Sequence, residues 1–424
     1  MKTQIITLTL LLLGVSAGAQ QPGHMSREMY RERVESYSQV LKQQKLKTMA
    51  STEARKIAYT GFLPQLDLAG EGTLNLKDLN TWTAPQGQYR NNTYQGMAIL
   101  AQPLYTGGAL KAQHNIAKAD EKLDQLSQEL TIDQIYYQSD AIYWNASAAR
   151  ARMEAASEYQ KIVQQQYDII QDRFKDGMIS RTDLLMISTR RKEAELQYIQ
   201  ARQNYTLALQ RLNILMGENP DTPVDSLSFI GILSEPVQIM TLDEVLQRRA
   251  DYTSTEVGIT KSQAQRKAAL SKYNPQLNMY VSGGWATGAP NLGYDLTFNP
   301  ILGVNVNIPI FRWGARAKTN RQQQAYIGIQ KLQQSYVTDN ITEELSSAVT
   351  NLTETEFQVK TAEENIALAE ENLDLASFSY NEGKASMVDV LSAQLSWTQA
   401  HSSLINAYLS AKMAVAEYRK VISE

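Results

Sequence analysis

Two aspartates, Asp183 and Asp389, are the residues whose placement in this sequence most suggests chemistry. Each follows a glycine by six residues and a serine by three, so the spacing Gly-x-x-Ser-x-x-Asp occurs twice, 206 residues apart. Ser-x-x-acid is typical of a helix start, because the serine accepts a backbone N–H and the helix dipole favours the carboxylate. Carboxylates around a narrow opening have another use, since they attract hydrated cations. Helix capping and the lining of an aqueous opening both remain open for these residues.

The sequence predicts no enzyme, because the groups of the common catalytic and metal sites are absent from it. It has no cysteine, and its three histidines, His24, His114 and His401, lack the spacing of metal ligands. It also lacks a P-loop, the dinucleotide-binding glycines and the G-x-S-x-G motif. We therefore expect no cofactor and no metal site. The net charge of −3 and the pI of about 5.9 give no reason to expect a nucleic acid partner.

The two aspartate sites belong to a longer internal repeat. Four motif pairs recur in the same order, at separations of 206 to 211 residues. The pairs are Arg55-Lys56 with Arg266-Lys267, FLPQLDL with YNPQLNM, QPLYTGGA with IPIFRWGA, and RFKDGMISRTDLL with SYNEGKASMVDVL. We therefore predict two structural repeats, at residues 26–216 and 241–422. The linker at 217–240 contains Pro220, Pro223 and Pro236, which predict a non-helical segment.

Each repeat has the same predicted order of a helix, two strands and a long helical hairpin. The strands are predicted at about 64–76, 93–105, 276–286 and 293–310, and the hairpins at 108–216 and 314–422. The segment from Ala109 to Asp176 contains neither proline nor glycine. At about 1.5 Å per residue it allows a helix about 100 Å long.

Apolar residues form only narrow stripes on these helices. An example is the set Val388, Leu391 and Leu395, which we expect to face a neighbouring helix. Such narrow seams predict coiled-coil-like packing with water on the remaining faces. The wall of a hollow tube and a solid coiled-coil rod both fit this pattern.

The predicted strands alternate between apolar and polar residues, except near 94–105. A half-buried soluble sheet gives the same pattern. Charged residues on the polar face, such as Asp67 and Asp295, and aromatic residues such as Tyr105 and Phe311 near the strand ends favour membrane strands around a water-filled interior. Four strands cannot close a barrel, and lipid does not tolerate open sheet edges. Several chains would therefore have to share one barrel.

The N-terminal segment is typical of a secretory signal peptide. Lys2 is followed by an apolar run from Ile5 to Leu13 and by Ala17-Gly18-Ala19, which resembles a cleavage site. We assign residues 1–19 to this signal and expect the mature chain to be exported.

Together the repeat, the strand starts FLPQL and YNPQL, the junctions QPLYTGGA and IPIFRWGA, and the paired corners resemble the TolC family of outer-membrane efflux and secretion channels. The resemblance covers essentially the whole mature chain. It implies an α+β membrane protein that assembles as a homotrimer. Each chain would contribute four strands to one 12-stranded β-barrel in outer-membrane lipid. A long α-helical, coiled-coil barrel would continue it across the periplasm of a Gram-negative bacterium.

The resemblance also implies a function and partners. The trimer would be the passive outer-membrane exit duct of a tripartite efflux pump or a type I secretion system. Its helical tips would dock a periplasmic adaptor, the membrane fusion protein, and an inner-membrane RND, ABC or similar transporter would supply the energy. The alternative from another class is a periplasmic coiled-coil adaptor or structural protein without a channel.

Residues of the two corners match the family's periplasmic entrance. Asp183 and Asp389 correspond to positions at the constriction, and Thr182 and Tyr380 to positions that hold it shut. Ala385 and Ser392 depart from the family pattern, which can have an arginine and a second aspartate there. Arg181 is the nearest substitute for that arginine.

The tip of each corner matches the family's adaptor-docking region. Met178, directly after Gly177, stands at the position of an apolar residue that contacts the adaptor. Gly383 and Lys384 are the equivalent pair in the second repeat. We further expect both glycines to end their helices in the left-handed conformation.

Overall fold

A computed structural model describes residues 24–74, 76, 92–224, 226–231, 237–287 and 295–424. The predicted signal peptide at residues 1–19 lies outside the described residues. The chain divides into two compact units. The first consists of Met1–Tyr37, Ser139–Glu235 and Thr355–Met413, and the second of Ser38–Gln138, Pro236–Glu354 and Ala414–Glu424.

The described part of the chain is mostly helical with few strands, as the sequence pattern predicts. The first half contains β1 (His24–Met25), α1 (Arg27–Tyr37), α2 (Gln39–Thr60), β2 (Gln65–Leu74), β3 (Asn92–Tyr105), α3 (Ala109–Lys175) and α4 (Arg181–Met216). The second contains β4 (Ser226–Leu227), α5 (Leu242–Arg248), α6 (Ala250–Ser271), β5 (Gln276–Ala286), β6 (Thr297–Phe298), β7 (Ile301–Asn307), α7 (Ala315–Asn381) and α8 (Met387–Val421). None of the helices in these described ranges has the length and apolarity that a membrane crossing requires.

The internal repeat is visible in the backbone conformation. The described residues with positive φ form four pairs, each separated by 206 residues. The pairs are Gly107 with Trp313, Gly108 with Gly314, Gly177 with Gly383, and Gly217 with Ser423. Helices α3 and α7 both contain 67 residues and also begin 206 residues apart. Two of the four pairs keep the left-handed backbone although one member of the pair is not glycine.

The sheet of the second unit has one apolar face, as the alternation predicts. Strand β3 pairs with β2 and β5, and β5 also pairs with β6 and β7, all antiparallel. The register aligns Leu66 with Leu100 and Leu100 with Val281, and Val281 in turn with Leu302. Asp67 and Ser282 lie on the opposite face. Met97 and Ile99 of β3 lie on the same face as Asp67, so β3 alternates poorly, as its sequence predicts.

The fourth predicted strand, at about 293–310, is shorter and interrupted in the structure. Residues 293 and 294 lie outside the described residues, and the strand is divided into β6 and β7. Pro300 lies between these two strands, and Pro309 follows β7. Proline has no N–H for the ladder and fixes its own φ, so it interrupts a strand at such positions.

The helical core of the first unit lies where α3, α4, α7 and α8 pack together. Tyr159 of α3 stacks on Trp397 of α8, with 6.0 Å between ring centroids. Arg191 of α4 lies 4.0 Å from the centroid of the Tyr167 ring of α3. On the other side, Tyr408 of α8 donates to Glu363 of α7 at 2.8 Å. These contacts give the neighbour order α4, α3, α8, α7.

Only one residue of the expected apolar stripe on α8, Leu391, packs against a neighbouring helix within the chain. Val388 and Leu395 are exposed, whereas Val390 and Trp397 are buried. The buried face also contains the polar residue Gln394, whose amide donates to Gln166 of α3. The packed stripe thus mixes polar, small and aromatic residues, and hydrophobicity alone does not identify it.

Candidate entrance site at the paired helical corners

Both corners end a long helix with the same hydrogen-bonded turn. Gly177 and Gly383 have φ values of 72° and 73°, so the predicted left-handed conformation is confirmed. The N–H groups of Gly177 and Met178 donate to the carbonyls of Phe174 and Arg173 at 3.0 and 2.9 Å. The equivalent bonds in the second corner have the same two lengths. This pair of bonds is the Schellman motif, which favours glycine because a left-handed backbone strains a side chain.

The two helix starts after these turns are capped differently. At the start of α4 the Oγ of Ser180 accepts the N–H of Asp183 at 3.1 Å. At the start of α8 the contact is reciprocal. The Asp389 N–H donates to the Ser386 Oγ at 3.3 Å, and its carboxylate accepts from the Ser386 N–H and Oγ–H at 2.8 and 2.7 Å. Capping is thus confirmed for both serines, and only Asp389 completes a capping box.

The hydrogen bonds from Ser386 also affect the charge of Asp389. The Ser386 hydroxyl and, next, its backbone N–H lower the pKa of the Asp389 carboxyl below its ordinary value. Asp389 is exposed, so its charge remains accessible to solvent. It can therefore serve as a cap and as a surface anion simultaneously.

Tyr380, at the end of α7, lies in the electrostatic range of Asp183, at the start of α4. Burial raises the pKa of the Tyr380 hydroxyl, and the negative charge of Asp183 raises it further. This hydroxyl is buried and has no hydrogen-bond partner among the described residues. The structure therefore brings together two predicted site residues that come from different repeats.

Arg173 completes this group and was missed by the sequence analysis. Its Nη2 donates to the backbone carbonyl of Asn381 at 3.2 Å, next to Tyr380, and its positive charge acts to lower the Tyr380 pKa. A cation beside the last carbonyls of a helix is favoured by the helix dipole. The sequence did contain a signal for Arg173, because the equivalent residue in the second repeat is the uncharged Ser379.

The remaining predicted site residues project from the corners. Thr182, Arg181 and Lys384 are exposed, and Met178 is 73% exposed. Ala385 instead packs against the apolar cluster beneath the corners, so this position offers no polar contact.

The cluster under the corners contains residues from all four helices. Its buried members include Ile170 of α3, Ile187 of α4, Tyr380 of α7 and Val390 of α8. Because the four helix ends share this core, their packing fixes how the two corners lie relative to each other. The predicted entrance residues are therefore positioned by packing.

The histidines pack against aromatic rings. His114 lies 5.9 Å from the ring of Tyr59, and His401 lies 4.0 Å from that of Trp397. Burial lowers the pKa of His401. Within the described ranges, no group of three His, Asp, Glu or Cys side chains could hold a metal ion.

The whole pattern of paired hairpins and strands matches a known protein family. A family model for outer membrane efflux proteins matches residues 32–218 and 241–423. The chain belongs to the outer membrane efflux protein family. This membership confirms the resemblance to TolC-type channels and places the chain in the outer membrane.

Relatives within the outer membrane efflux family are distant in sequence. The chain is 24% identical over 295 residues to the alkaline protease secretion protein AprF of Pseudomonas aeruginosa, covering 64% of this chain and 58% of AprF. It is 22% identical over 355 residues to the outer membrane efflux protein BepC of Brucella suis, covering 83% and 75% of the two chains. The chain thus spans less than two thirds of the length of AprF.

The fold of this family member is close to that of solved outer membrane channels. The open state of the Neisseria gonorrhoeae outer membrane channel MtrE superposes with a TM-score of 0.79 at 16% identity, covering 94% of this chain and 88% of MtrE. At this identity the likeness establishes the fold and not the substrate.

Proposed function

We propose that this chain is the passive exit duct of a tripartite efflux pump or a type I secretion system. Three copies would share a 12-stranded barrel in the outer membrane and a helical barrel across the periplasm. The names of two relatives, a protease secretion protein and an efflux protein, support this class of function. The main support for the proposal is the family membership together with a sheet that has one apolar face and two unpaired edges.

The open sheet supports a barrel shared between copies. Among the described strands, β2 has a partner only on its β3 side, and β7 only on its β5 side. Both edges therefore have unpaired backbone groups, which lipid does not tolerate. Pairing β2 of one copy with β7 of the next would satisfy both edges and close a ring. An adaptor or structural rod gives no reason for such a sheet.

The outer helices of the first unit support the same ring. Helix α4 has exposed apolar residues, including Leu185, Leu196 and Ile199, on the side away from the shared core. Helix α7 likewise exposes Leu368 and Leu375. These exposed residues leave α4 and α7 each with apolar side chains that no described helix covers.

Charge also favours the pairing of α4 with α7 of another copy. Helix α4 contains six basic and three acidic residues, whereas residues 355–381 of α7 contain six acidic and one basic. Helix α4 and this part of α7 thus have opposite net charge. When two different surfaces of a protein join head to tail, the copies form a closed ring if the repeated rotation from one copy to the next returns to the first copy.

The corners would form the inner entrance of this duct. Asp183 and Asp389 from three copies would place six carboxylates near one opening, and such rings favour cations. Tyr380 would hold the entrance closed through Asp183, with Thr182 and Arg181 beside them. The exposed Met178 and Lys384, presented by the turns at Gly177 and Gly383, would contact the adaptor.

Fractionation combined with cysteine cross-linking tests the proposed assembly. The chain has no native cysteine, so cysteines introduced at Leu196 and Leu368 report only the intended contact. We expect the protein in the outer membrane as a heat-resistant trimer, with cross-links between chains up to the trimer. Cysteine at the buried Val390 is the matched control and should give none. A periplasmic monomer would refute the proposal.

A further inference from the structure

A groove of the first unit lies between α3, α4 and α8, away from the corners. Its volume is about 440 Å³, within the range of about 300–1,000 Å³ that is typical of ligand pockets. Small side chains leave this space open, among them Ala155 and Ala156 of α3 and Ala201 of α4. The stacked and buried rings of Tyr159 and Trp397 line it as well. The groove therefore has room and apolar surface for a small molecule.

Arg152 of α3 is a half-buried cation in this groove. Its Nη2 donates to the side-chain oxygen of Asn406 on α8 at 2.7 Å, which is a neutral partner. Burial lowers the pKa of the Arg152 guanidinium, and among the described residues no carboxylate acts to raise it. The nearest acid in the sequence, Glu154, pairs with Arg150 instead, at 2.8 Å. Because arginine stays protonated in proteins, the groove has a positive charge that the described chain does not balance.

A second polar group of the groove also lacks a hydrogen bond. The Nε2 of His401 is buried and has no hydrogen-bond partner among the described residues. The carboxylate of Glu370 on α7 lies 3.6 Å from it, which is too far for a normal hydrogen bond. Buried polar atoms are almost always hydrogen-bonded in folded proteins. A molecule bound in the groove would provide the missing partner.

The α4 side of the groove is polar and uncharged. Gln197, Gln200 and Asn204 line it and are exposed, so their amides can donate to a ligand and accept from it. At about 3.6 residues per helix turn, this face of α4 lies about a quarter turn from Leu196. The groove thus stays clear of the contact with another copy that is proposed for Leu196.

We propose that this groove binds a small organic carboxylic acid, whose carboxylate pairs with Arg152. Among the described residues that line the groove, Arg152 is the only arginine, lysine, aspartate or glutamate, so the groove favours an anion. The guanidinium has further N–H groups besides the one bound to Asn406, and its planar shape matches a carboxylate. The apolar body of the acid would lie against the alanines and the rings of Tyr159 and Trp397. The proposal does not depend on the exit-duct function, because the groove lies within a single chain.

Isothermal titration of the purified protein with cinnamate tests this site. Cinnamamide has the same shape without the charge, and titration into detergent buffer alone corrects for partition into micelles. We expect cinnamate to bind about tenfold more tightly than cinnamamide, because only the carboxylate can form charged hydrogen bonds with Arg152. The Arg152→Gln variant should bind the two compounds with equal, weak affinity.

Arg150→Gln is the matched control for this variant. Arg150 lies on the same helix but pairs with Glu154 and does not line the groove, so its loss should leave the affinity for cinnamate unchanged. The comparison of cinnamate with cinnamamide uses the native protein, so it decides the proposal even if Arg152→Gln fails to fold. Equal affinity of the native protein for both compounds would overturn the proposal. So would an absence of cinnamate binding at millimolar concentration, or an equal loss of affinity in the two arginine variants.

Discussion

Asp183 and Tyr380, which belong to different halves of the duplicated chain, interact electrostatically where the two helical hairpins turn. Burial and then the Asp183 charge raise the pKa of the Tyr380 hydroxyl, and this hydroxyl has no hydrogen-bond partner among the described residues. A buried hydroxyl without a partner is unfavourable, so a rearrangement that let it donate to the Asp183 carboxylate would be stabilising. The pair therefore links the two corners in a way that one repeat alone could not.

Replacing Tyr380 with phenylalanine tests this link. The ring keeps its packing, and only the hydroxyl that would donate to Asp183 is lost. A net hydrogen bond contributes about 1 kcal/mol, so we expect the ratio of open to closed entrance to rise about fivefold. Single-channel recording should show larger or more frequent open levels.

Tyr408→Phe is the matched control for this substitution. Tyr408 donates to Glu363 between α8 and α7, away from the corners, so its hydroxyl should not affect the entrance. If Tyr380→Phe and Tyr408→Phe both left the conductance unchanged, Tyr380 would have only a packing role.

Neutralising both corner aspartates should alter ion selectivity. In the Asp183→Asn, Asp389→Asn double variant, a trimer would lose six negative charges at the entrance. We expect lower cation selectivity and weaker block by divalent cations, measured as a shift in reversal potential across a salt gradient. Unchanged selectivity and block would leave the two residues as helix caps alone.

The two serine caps should respond differently to acid. Because Ser386 lowers the pKa of Asp389, the cap is stabilising above the ordinary aspartate pKa of about 3.9 and is lost as the pH falls through the lowered value. Ser386→Ala removes the main cause, so protection of the first turn of α8 should be lost at higher pH.

Hydrogen exchange of the peptides that begin α4 and α8 measures this difference as a function of pH. Ser180→Ala is the control, because Ser180 receives no carboxylate contact in return. We expect Ser180→Ala to reduce hydrogen-exchange protection at the start of α4 without shifting the pH at which half of that protection is lost. The same pH shift in both variants would contradict the assigned hydrogen bonds.

Gly177 and Gly217 both have a left-handed backbone conformation, but replacement by alanine should destabilise the protein to different degrees. A Cβ at Gly177 meets nothing within 4 Å, whereas one at Gly217 would lie 2.2 Å from ring carbons of Tyr37. Gly177→Ala should destabilise by about 1–2 kcal/mol through the left-handed backbone alone, and Gly217→Ala clearly more because the ring must also move. Heat-inactivation midpoints of the two variants would be compared. Equal midpoints would show that the Tyr37 ring moves without cost.

Turns and the repeat could be predicted from the sequence because they depend on local chemistry. Glycines that end helices and serines that begin them act through their own backbone, so Gly177 and Ser386 have the expected conformations. Strand faces could be predicted too, since side chains alternate with period two. The exception was β3, which has Met97 and Ile99 on the same face as Asp67.

The helix-packing face of α8 could not be predicted from hydrophobicity. Val390 and Trp397 are buried in the single chain, whereas Val388 and Leu395 are exposed. A helix that also meets another copy or an interior surface has apolar residues on more than one side. Hydrophobicity therefore does not show which side packs against helices of the same chain. The burial of Gln394 depended on a partner, Gln166, 228 residues away. Such long-range pairs have no local signal.

The most direct test of the proposed duct is single-channel recording of the purified protein in planar lipid bilayers. The protein should be extracted from outer membranes as the heat-resistant trimer and added without adaptor, transporter or nucleotide. We predict uniform, long-lived, cation-favouring conductance steps that Tyr380→Phe enlarges or makes more frequent. Trimers that insert into the bilayer and conduct no ions, in the native form and in the Tyr380→Phe variant, would contradict the central claim.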